Sequence, residues 1–382
     1  MKKLLIVLAA VTAISCMNKK KVGETQKEND KACKYDVYVL GAMQKNGTAD
    51  NDETDFPETR YDMVYWKNGV PKVIADKVGT PDGYDLFSIF DMIVIEGKFV
   101  FLGSATINDM DGATYFIYKS GKFTRIGDKE DLEKPKLLDV DGKPVVVGGI
   151  PGTDEDATII YQPAMWSEDG SMKTFDLDGF KCNEICGVAA ENGNIYACGR
   201  VYRGNYENGY GALWKNGKLT TYPAPNNGTT MFGFTAIAVS GGNIYTTMIS
   251  NYGEPEYDEL TLWKNGMSVR SLGENGVFKT ADCIVADGND IYVGGSESRV
   301  SDDGNETLIS MPRIWKNGKA MNIDNNNEMG WIKSMTVAGG KVYATGDVGF
   351  LGAVWSNGKC ETLKGAKGEG TTIKIIVVPA KK

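Results

Sequence analysis

Acidic side chains are concentrated in a few short segments, and they are the residues in this sequence best suited to metal chemistry. The segment "DNDETD" supplies Asp50, Asp52 and Asp55, and "NDMDG" supplies Asp109 and Asp111. Closely spaced carboxylates are the ligands that a hard cation such as Ca²⁺ prefers. Neither segment completes an EF-hand loop, because the glycine and the closing glutamate are out of place. We therefore expect no metal or other cofactor, with calcium at these five residues as the alternative.

A second set of candidate residues combines tyrosine with arginine, mostly within the segment "RVYRGNYENGY". Tyrosine and arginine are enriched at binding hot spots because they bury much area at low entropic cost. The candidate ligand-binding residues are Arg200, Tyr202, Arg203, Tyr206, Tyr210, Tyr252 and Tyr257. The alternative is that these segments are solvated loops whose charge keeps the chain soluble.

The absence of histidine restricts catalysis. The 382 residues contain no histidine, which excludes Ser–His–Asp and Cys–His nucleophiles and every His-ligated metal centre. A glycoside hydrolase needs only two carboxylates, but no acidic pair is set apart by apolar neighbours that would raise one pKa. The sequence therefore favours a non-catalytic binding or scaffolding module. The alternative is a glycan-active hydrolase that uses paired loop carboxylates.

The candidate residues lie between copies of a short repeated phrase. "WKNG" begins at Trp66, Trp214, Trp263 and Trp315, and looser copies begin at Tyr118, Trp166 and Trp355. The seven copies recur every 40 to 52 residues. Asn-Gly tolerates the positive φ angles of a type I′ turn, so each copy predicts a β-hairpin. We expect its aromatic residue to pack between neighbouring repeats.

A thirteen-residue segment precedes most copies of the phrase and predicts a second hairpin in each repeat. Its residues alternate between apolar and polar on either side of a glycine turn, which is the period of a strand. The segments are Asp91–Gly103, Leu137–Gly149, Gly187–Gly199, Ala236–Met248, Cys283–Gly295 and Ser334–Gly346, aligned without a gap. Four strands in each of seven repeats of this length indicate a β-propeller with almost no helix.

The two ends of the repeat region complement each other. "YDVYVLG" (Tyr35–Gly41) matches the second strand of a repeat but has no first strand before it. "IKIIVVP" (Ile373–Pro379) matches the first strand "IKSMTVA" (Ile332–Ala338) but has no second strand after it. We therefore predict an all-β, seven-bladed propeller over residues 35–382, closed by the C-terminal strand joining the N-terminal blade, which removes a free sheet edge.

The repeats resemble those of kelch-type propellers, whose units carry a strand ending in Gly-Gly and a later tryptophan. "IYVGG" (Ile291–Gly295) with Trp315 is the best copy, and "VVVGG" (Val145–Gly149) with Trp166 is the next. The chain is also similar to bacterial lipoprotein propellers with WKNG hairpins. The copper chemistry of some kelch-like oxidases requires histidine ligands, so the resemblance implies the fold and not that activity.

The N-terminus has the features of an export signal. Lys2 and Lys3 precede an apolar run that ends at Ile14, which is too short to span a bilayer. "AISC" resembles a bacterial lipobox, which implies cleavage after residue 15 and lipidation of Cys16. Residues 16–34 are then a lipidated, flexible tether. Met17 is not the aspartate that retains some lipoproteins at the inner membrane, so we expect a lipid-anchored protein of the bacterial cell envelope, at the outer membrane.

Charge and cysteine content bound the partners. The formal net charge of −8 argues against nucleic acid. Cys182 and Cys186 are close enough in sequence for a disulfide to be considered. We expect a monomer that contacts the membrane through its lipid. Its ligand would be a protein or a glycan, held by the variable acidic and aromatic loops that join the second and third strands of each repeat.

Overall fold

Most of the chain that can be described is β-strand. The computed structural model describes residues 35–44, 61–107, 112–128, 132–155, 157–204, 209–223, 231–251, 259–273, 277–300, 308–325, 328–367 and 372–380. Within these ranges the one α-helix is the single turn α1 (Ala75–Val78). None of the described helical segments is long and apolar enough to cross a membrane. Tyr35–Lys382 form one compact unit.

The strands follow the sequence repeat, four to a repeat, and neighbours in chain order pair antiparallel. Repeat 1 has β1 (Tyr35–Gln44), β2 (Tyr61–Lys67) and β3 (Val70–Val73). Repeat 2 has β4 (Leu86–Ile95), β5 (Lys98–Thr106), β6 (Thr114–Lys119) and β7 (Lys122–Asp128). Repeat 3 has β8 (Glu133–Val140), β9 (Lys143–Thr153), β10 (Ile159–Ser167) and β11 (Met172–Thr174).

The later repeats have the same order. Repeat 4 has β12 (Lys181–Glu191), β13 (Asn194–Tyr202), β14 (Gly209–Lys215) and β15 (Lys218–Pro223). Repeat 5 has β16 (Met231–Ser240), β17 (Asn243–Asn251), β18 (Glu259–Lys264) and β19 (Met267–Ser271). Repeat 6 has β20 (Cys283–Asp287), β21 (Asp290–Val300), β22 (Leu308–Lys316) and β23 (Lys319–Ala320). Repeat 7 has β24 (Gly330–Ala338), β25 (Lys341–Val348), β26 (Leu351–Ser356) and β27 (Lys359–Lys367), and β28 (Thr372–Pro379) follows it.

These strands form six sheets. Five are four-stranded, and the sixth combines repeats 3 and 4 through one residue pair, Tyr161 with Cys182. In the sheet of repeat 1, β28 occupies the first-strand position and pairs antiparallel with β1, with Val377 opposite Val37. The first strands of consecutive repeats also contact one another, including β24 with β28 and β28 with β4.

The Asn-Gly turns have the geometry that the sequence predicts. Asn216 and Gly217 have φ angles of 51° and 86°, so both central residues of the turn are left-handed, as a type I′ turn requires. The Asn216 Nδ2 group donates to Asn194 Oδ1 at 2.8 Å, and Asn216 Oδ1 accepts a bond from the Ile195 amide at 2.9 Å. The asparagine therefore ties the second hairpin of the repeat to the first. Asn68, Asn265 and Asn317 make the equivalent bonds.

The tryptophan of the phrase joins neighbouring repeats. Trp214 is fully buried, and its Nε1 donates to the carbonyl oxygen of Asp176 in repeat 3 at 2.8 Å. Trp355 makes the same contact with Asp324 of repeat 6. Trp66 of repeat 1 donates to Lys364 of repeat 7 at 3.0 Å, so these terminal repeats meet as neighbours do elsewhere.

Each first strand is interrupted at one common place, which explains the glycine that ends the first hairpin in most repeats, and β12 has a second shift between Cys182 and Glu184. In six repeats the pairing shifts there by a β-bulge, and in repeat 6 strand β20 begins at the same place. A Cβ on Gly346 would lie 1.8 Å from Trp331 O, and one on Gly199 would lie 1.9 Å from Glu184 O. At these positions the bulge leaves no room for a Cβ on the facing strand, whereas in repeat 5 Met248 takes the facing position.

Two details differ from the sequence alignment. The turn of repeat 3 is Asp141-Gly142, one residue earlier than in the other repeats, so Gly148 and not Gly149 takes the glycine position. Strand β28 is shifted by one residue in the same way, because Thr372 faces Gly41 as Ile332 faces Gly346. A gap-free alignment does not detect either shift, because the apolar and polar residues of each strand still alternate.

The disulfide between Cys182 and Cys186 that the sequence allows does not form. Both thiols are free, and both residues lie on the extended strand β12. Four residues of strand span about 13 Å, whereas a disulfide needs Cα atoms within about 7 Å.

Candidate functional site

The bulges of the first strands wall a central cavity. At each bulge, and at the start of β20 in repeat 6, two consecutive residues line the cavity space, and we call them the cavity pair of that repeat. The seven cavity pairs, from repeat 1 to repeat 7, are Ile373-Lys374, Phe90-Asp91, Pro135-Lys136, Cys186-Gly187, Thr235-Ala236, Asp282-Cys283 and Lys333-Ser334. Every first strand thus contributes to one space, and its chemistry changes from repeat to repeat.

The space has an inner and an outer part. The inner cavity has a volume of about 280 Å³ and touches all seven first strands. The outer cavity, of about 720 Å³, shares five lining residues with it and includes Lys134, Glu184 and Thr280, which lie nearer the starts of their strands. We call this end of the repeats, where second strands also run into third strands, the mouth face. Volumes of this order suit small ligands.

One acidic side chain of the cavity has its oxygens engaged. Asp91 is 8% exposed, and its Oδ1 accepts bonds from the Met92 amide at 2.7 Å and from Lys374 Nζ at 2.5 Å. Its Oδ2 accepts the Leu137 amide at 2.7 Å. Asp91 therefore fastens β28, β4 and β8 together, and its carboxylate has little capacity left for a ligand or for nucleophilic attack.

A second acidic side chain faces the cavity without a salt bridge among the described residues. Asp282 is accessible to solvent through the cavity while protein surrounds it closely. This loss of hydration raises the pKa of Asp282, against the opposing effects of a 3.0 Å hydrogen bond from Thr280 Oγ1 and of the nearby Lys333 ammonium. Asp282 therefore faces a cavity that water enters and that protein surrounds on most sides.

Three lysines line the inner cavity, and two of them are neutralised. Lys374 pairs with Asp91, and Lys333 pairs with the buried carboxylate of Asp347. Lys136 lines both the inner and the outer cavity and has no salt-bridge partner among the described residues. The cavity thus contains one cation and one acid that the described part of the chain leaves without a counter-ion.

The rim of the outer cavity carries an ion pair and an aromatic pair. Lys134 Nζ donates to Glu184 Oε1 at 2.9 Å, and this hydrogen bond to the carboxylate raises the pKa of Lys134. Phe90 and Tyr115 meet edge to face with ring centroids 5.7 Å apart. The rim therefore combines apolar surface with charges that neutralise each other.

Two of the tyrosine and arginine candidates serve the interior. Tyr202 is 1% exposed, and its hydroxyl donates to Asp154 Oδ2 at 3.1 Å, where Lys181 Nζ also binds at 3.1 Å. Arg200 is 6% exposed, and its aliphatic stem packs against Gly233 of the next repeat. Their burial gives a ligand no access to either side chain, so they are not part of the site that we propose.

Two other candidates are accessible at the mouth face. Arg203 is exposed, its guanidinium lies 4.0 Å from the centroid of the Phe180 ring, and its Nη2 donates to Asp178 O at 2.5 Å. Tyr210 is half-buried and meets Phe180 edge to face at 5.3 Å. Phe180 therefore orients both side chains, and no sequence pattern predicts this, because the phenylalanine lies in the connection before β12.

The remaining candidates lie outside the described residues. These are Cys16, Tyr206, Tyr252, Tyr257, Asp50, Asp52, Asp55, Asp109 and Asp111. Lipidation, ligand contacts at these tyrosines and calcium binding therefore stay predictions.

Exposed apolar side chains also occur at the mouth face. Ile159 begins β10 and is 57% exposed, and Phe350 forms the turn between β25 and β26 and is 52% exposed. Leu86, Ile107 and Phe278 are further exposed apolar residues at this end of the repeats. These residues belong to different repeats, and none of them lines the two-part cavity.

The variation between repeats is a sequence signal that indicates the cavity residues. In most repeats a cavity pair straddles the start of the thirteen-residue segment, and its residues vary while the segment itself is regular. Repeats that agree everywhere except at one column indicate a functional surface at that column. The bulge that turns this column inward is not visible in the alternation.

No protein-family model matches the sequence, and no curated protein matches it. Solved structures do match. An acylaminoacyl peptidase in complex with Z-Gly-Gly-Phe-chloromethyl ketone is 11% identical with a TM-score of 0.50, and the match covers 86% of this chain and 50% of that one. The β-propeller domain of the Trilobed protease from Pyrococcus furiosus is 12% identical with a TM-score of 0.46, over 73% of this chain and 83% of that one.

The architecture and these matches describe the fold only. The chain spans about half the length of the peptidase. Four-stranded antiparallel sheets repeated along the chain, with helix confined to one turn in the described residues, give a β-propeller-like fold. At such low identity the matches carry no reaction or ligand over to this chain.

Proposed function

We propose that the protein is a closed, seven-bladed, kelch-like β-propeller that acts as a non-catalytic binding module through its mouth face. Three observations support closure: the pairing of β28 with β1, the bond from Trp66 to Lys364, and the ion pair from Lys374 to Asp91. Each joins the chain ends or adjacent repeats in the way that interior repeats are joined. Closure positions the seven cavity pairs around one axis.

The observation that carries the binding role is the open two-part cavity, with exposed apolar and arginine side chains at its mouth. Repeated residues serve packing, whereas the cavity pairs and the connections at the mouth face differ between repeats. Ile159, Phe350 and Arg203 offer area and a charge to a ligand. We propose a protein or a glycan as that ligand.

The described carboxylates give no support to a glycan hydrolase. That chemistry needs one protonated acid and one accessible carboxylate close to it. Asp282 faces the cavity with a raised pKa, but Asp91 is buried, ion-paired and bonded to two amides. We therefore propose binding without turnover.

Export and anchoring complete the proposal. Lipidation of Cys16 would tether the propeller to the bacterial cell envelope, at the outer membrane, with residues 16–34 as a spacer. Radiolabelled palmitate should enter the wild-type protein but not a Cys16→Ala variant. A Cys16→Ala variant that stays anchored contradicts the lipid tether without affecting the binding role.

The binding role is tested with two matched groups of variants. Ile159→Ser, Phe350→Ser and Arg203→Ala change the mouth face, and Met267→Ser changes an equally exposed apolar residue on the fourth strand of repeat 5 (69% exposed). A glycan array and crosslinking of the anchored protein to envelope proteins measure ligand capture. We expect capture to fall about tenfold in the mouth variants and to stay unchanged in Met267→Ser. Equal capture by all four variants, or release of a hydrolysis product, would contradict the proposal.

A further inference from the structure

The charges of the inner cavity do not cancel in pairs. Asp91 neutralises Lys374, with Oδ1 2.5 Å from Nζ. Asp347, a buried residue of β25 that does not line the cavity, neutralises Lys333. Lys136 and Asp282 remain, and neither forms a salt bridge within the described ranges. Lys333 lies near Asp282 but is paired with Asp347, and the surrounding protein weakens the hydration of Asp282, so a ligand of complementary charge would stabilise both groups.

The two charges belong to repeats on opposite sides of the cavity. Lys136 lies in the cavity pair of repeat 3 and Asp282 in that of repeat 6. In a closed ring of seven, two repeats separate them on one side and three on the other, so they face each other across the axis. This step rests on the closed ring of the proposed function.

The surroundings limit the size and polarity of a ligand. The inner cavity of about 280 Å³ corresponds to roughly nine water volumes, so it admits about ten heavy atoms. The outer cavity adds the apolar surfaces of Phe90, Tyr115, Ile249 and Ala281. A compact polar group thus fits the inner cavity, and an apolar extension fits the outer one.

We propose that the cavity binds a small zwitterion of the amino-acid or short-peptide class, with its carboxylate at Lys136 and its ammonium at Asp282. A ligand with only one charge satisfies one of the two groups and leaves the other enclosed without a partner. The site therefore discriminates against simple amines and simple carboxylates, because specificity arises where the wrong ligand leaves a buried charge unpaired.

A homologous ligand series tests this inference on the full chain. Isothermal titration would compare glycine, β-alanine, 4-aminobutanoate, 6-aminohexanoate and Ala-Ala with butylamine and butanoate, which each carry a single charge. We expect one zwitterion length to bind about tenfold or more tightly than either singly charged compound. Equal affinity for the singly charged compounds, or no binding of any zwitterion, overturns the inference.

Variants assign the two ends of the ligand. Lys136→Met should weaken zwitterion binding about tenfold or more and leave butylamine binding unchanged. Asp282→Asn should also weaken zwitterion binding about tenfold or more, but leave butanoate binding unchanged. Lys134→Met is the matched control, because Lys134 is paired with Glu184 at the rim and should not matter. Zwitterion affinity that survives both cavity variants contradicts the assignment, and circular dichroism verifies that each variant is folded.

The inference and the proposed function fail in distinguishable ways. Slow hydrogen exchange in β28 together with no zwitterion binding overturns the zwitterion site and leaves the closed ring in place. Rapid exchange in β28 removes the ring, and with it the facing arrangement of Lys136 and Asp282. Loss of ligand capture at Ile159 and Phe350 with unchanged zwitterion affinity separates the mouth face from the inner cavity.

Discussion

The second hairpins and the cavity pairs show opposite kinds of regularity. The hairpins reuse the same residues: a buried tryptophan in six of the seven repeats, and an asparagine that bonds to the first hairpin in the repeats of Asn68, Asn216, Asn265 and Asn317. The cavity pairs occupy one place in each repeat, yet hold lysine, aspartate, cysteine, threonine, phenylalanine, proline and isoleucine. Residues needed by every repeat hold the repeats together, and residues that differ give the common cavity its chemistry.

The glycine facing the bulge links these two regions, and replacing it should have the largest effect. In Gly346→Ala the new Cβ would lie 1.8 Å from Trp331 O, so the bulge or the strand must move. We expect a loss of about 3 kcal/mol or more in the free energy of unfolding, measured by denaturant titration. Gly112→Ala, with nothing within 4 Å of the new Cβ, should stay within about 0.5 kcal/mol. Equal losses would mean that the bulge does not need its glycine.

The tryptophans allow a smaller test within the framework itself. Trp214 and Trp315 are both fully buried, but only Trp214 donates from Nε1, whereas Trp315 Nε1 has no partner among the described residues. Substitution by phenylalanine removes similar area from both. We expect Trp214→Phe to cost about 1 kcal/mol more than Trp315→Phe, the contribution of one hydrogen bond. Equal costs would assign the role of the tryptophan to packing alone.

Asp282 should differ from the packing residues of the repeats, because its charged form lowers the free energy of unfolding. Enclosure raises the pKa of Asp282, so the folded chain holds this proton more strongly than the unfolded chain does. The charged form therefore destabilises the fold above the folded pKa, and the effect vanishes as the pH falls to the unfolded value. The charged groups in the same cavity are Asp91, Lys136, Lys333 and Lys374, and Cys283 is the adjacent thiol.

Asp282→Asn should consequently raise the melting temperature at about pH 7 and leave it unchanged at about pH 3, where both states are protonated. Thermal unfolding at the two pH values measures the difference. Asp287→Asn, at the exposed end of β20, the strand that follows Asp282, is the control and should change little at either pH. Destabilisation by Asp282→Asn at neutral pH would make Asp282 a framework residue.

Thiol accessibility gives the smallest effect. Cys186 belongs to a cavity pair and is partly exposed, and the neighbouring Cys198 is fully buried in the framework. Burial raises the pKa of Cys198 to about 12 and raises that of Cys186 well above its usual value, so both thiols should react slowly near neutral pH. We expect a small methanethiosulfonate to label Cys186 first, with a rate that rises as the pH rises, and Cys198 only on unfolding. Mass spectrometry that finds both labelled at one rate would mean that the cavity is closed to solvent.

Alternation and turn residues predict strand order and the Asn-Gly hairpins well, because both depend on local backbone geometry. They do not predict the bulges, which shift the pairing of the first strands where these strands line the cavity. The same limit applies to the site. Tyr202 and Arg200 have the residue types of a contact surface, but their burial depends on Asp154 and Gly233, which are distant in sequence. Lys136 and Asp282 cannot be identified as binding residues from the sequence, because that identification depends on which other cavity charges form salt bridges.

The central claim is that the ends of the chain close a ring of repeats around the cavity. Amide hydrogen exchange of Thr372–Pro379, compared with Gly330–Ala338, tests it most directly, because the claim makes β28 an interior first strand like β24. We predict protection of both segments to a similar degree, with both losing it in one cooperative unfolding event. Exchange of β28 at the rate of an unstructured peptide while β24 stays protected would contradict the closed ring and the cavity that depends on it.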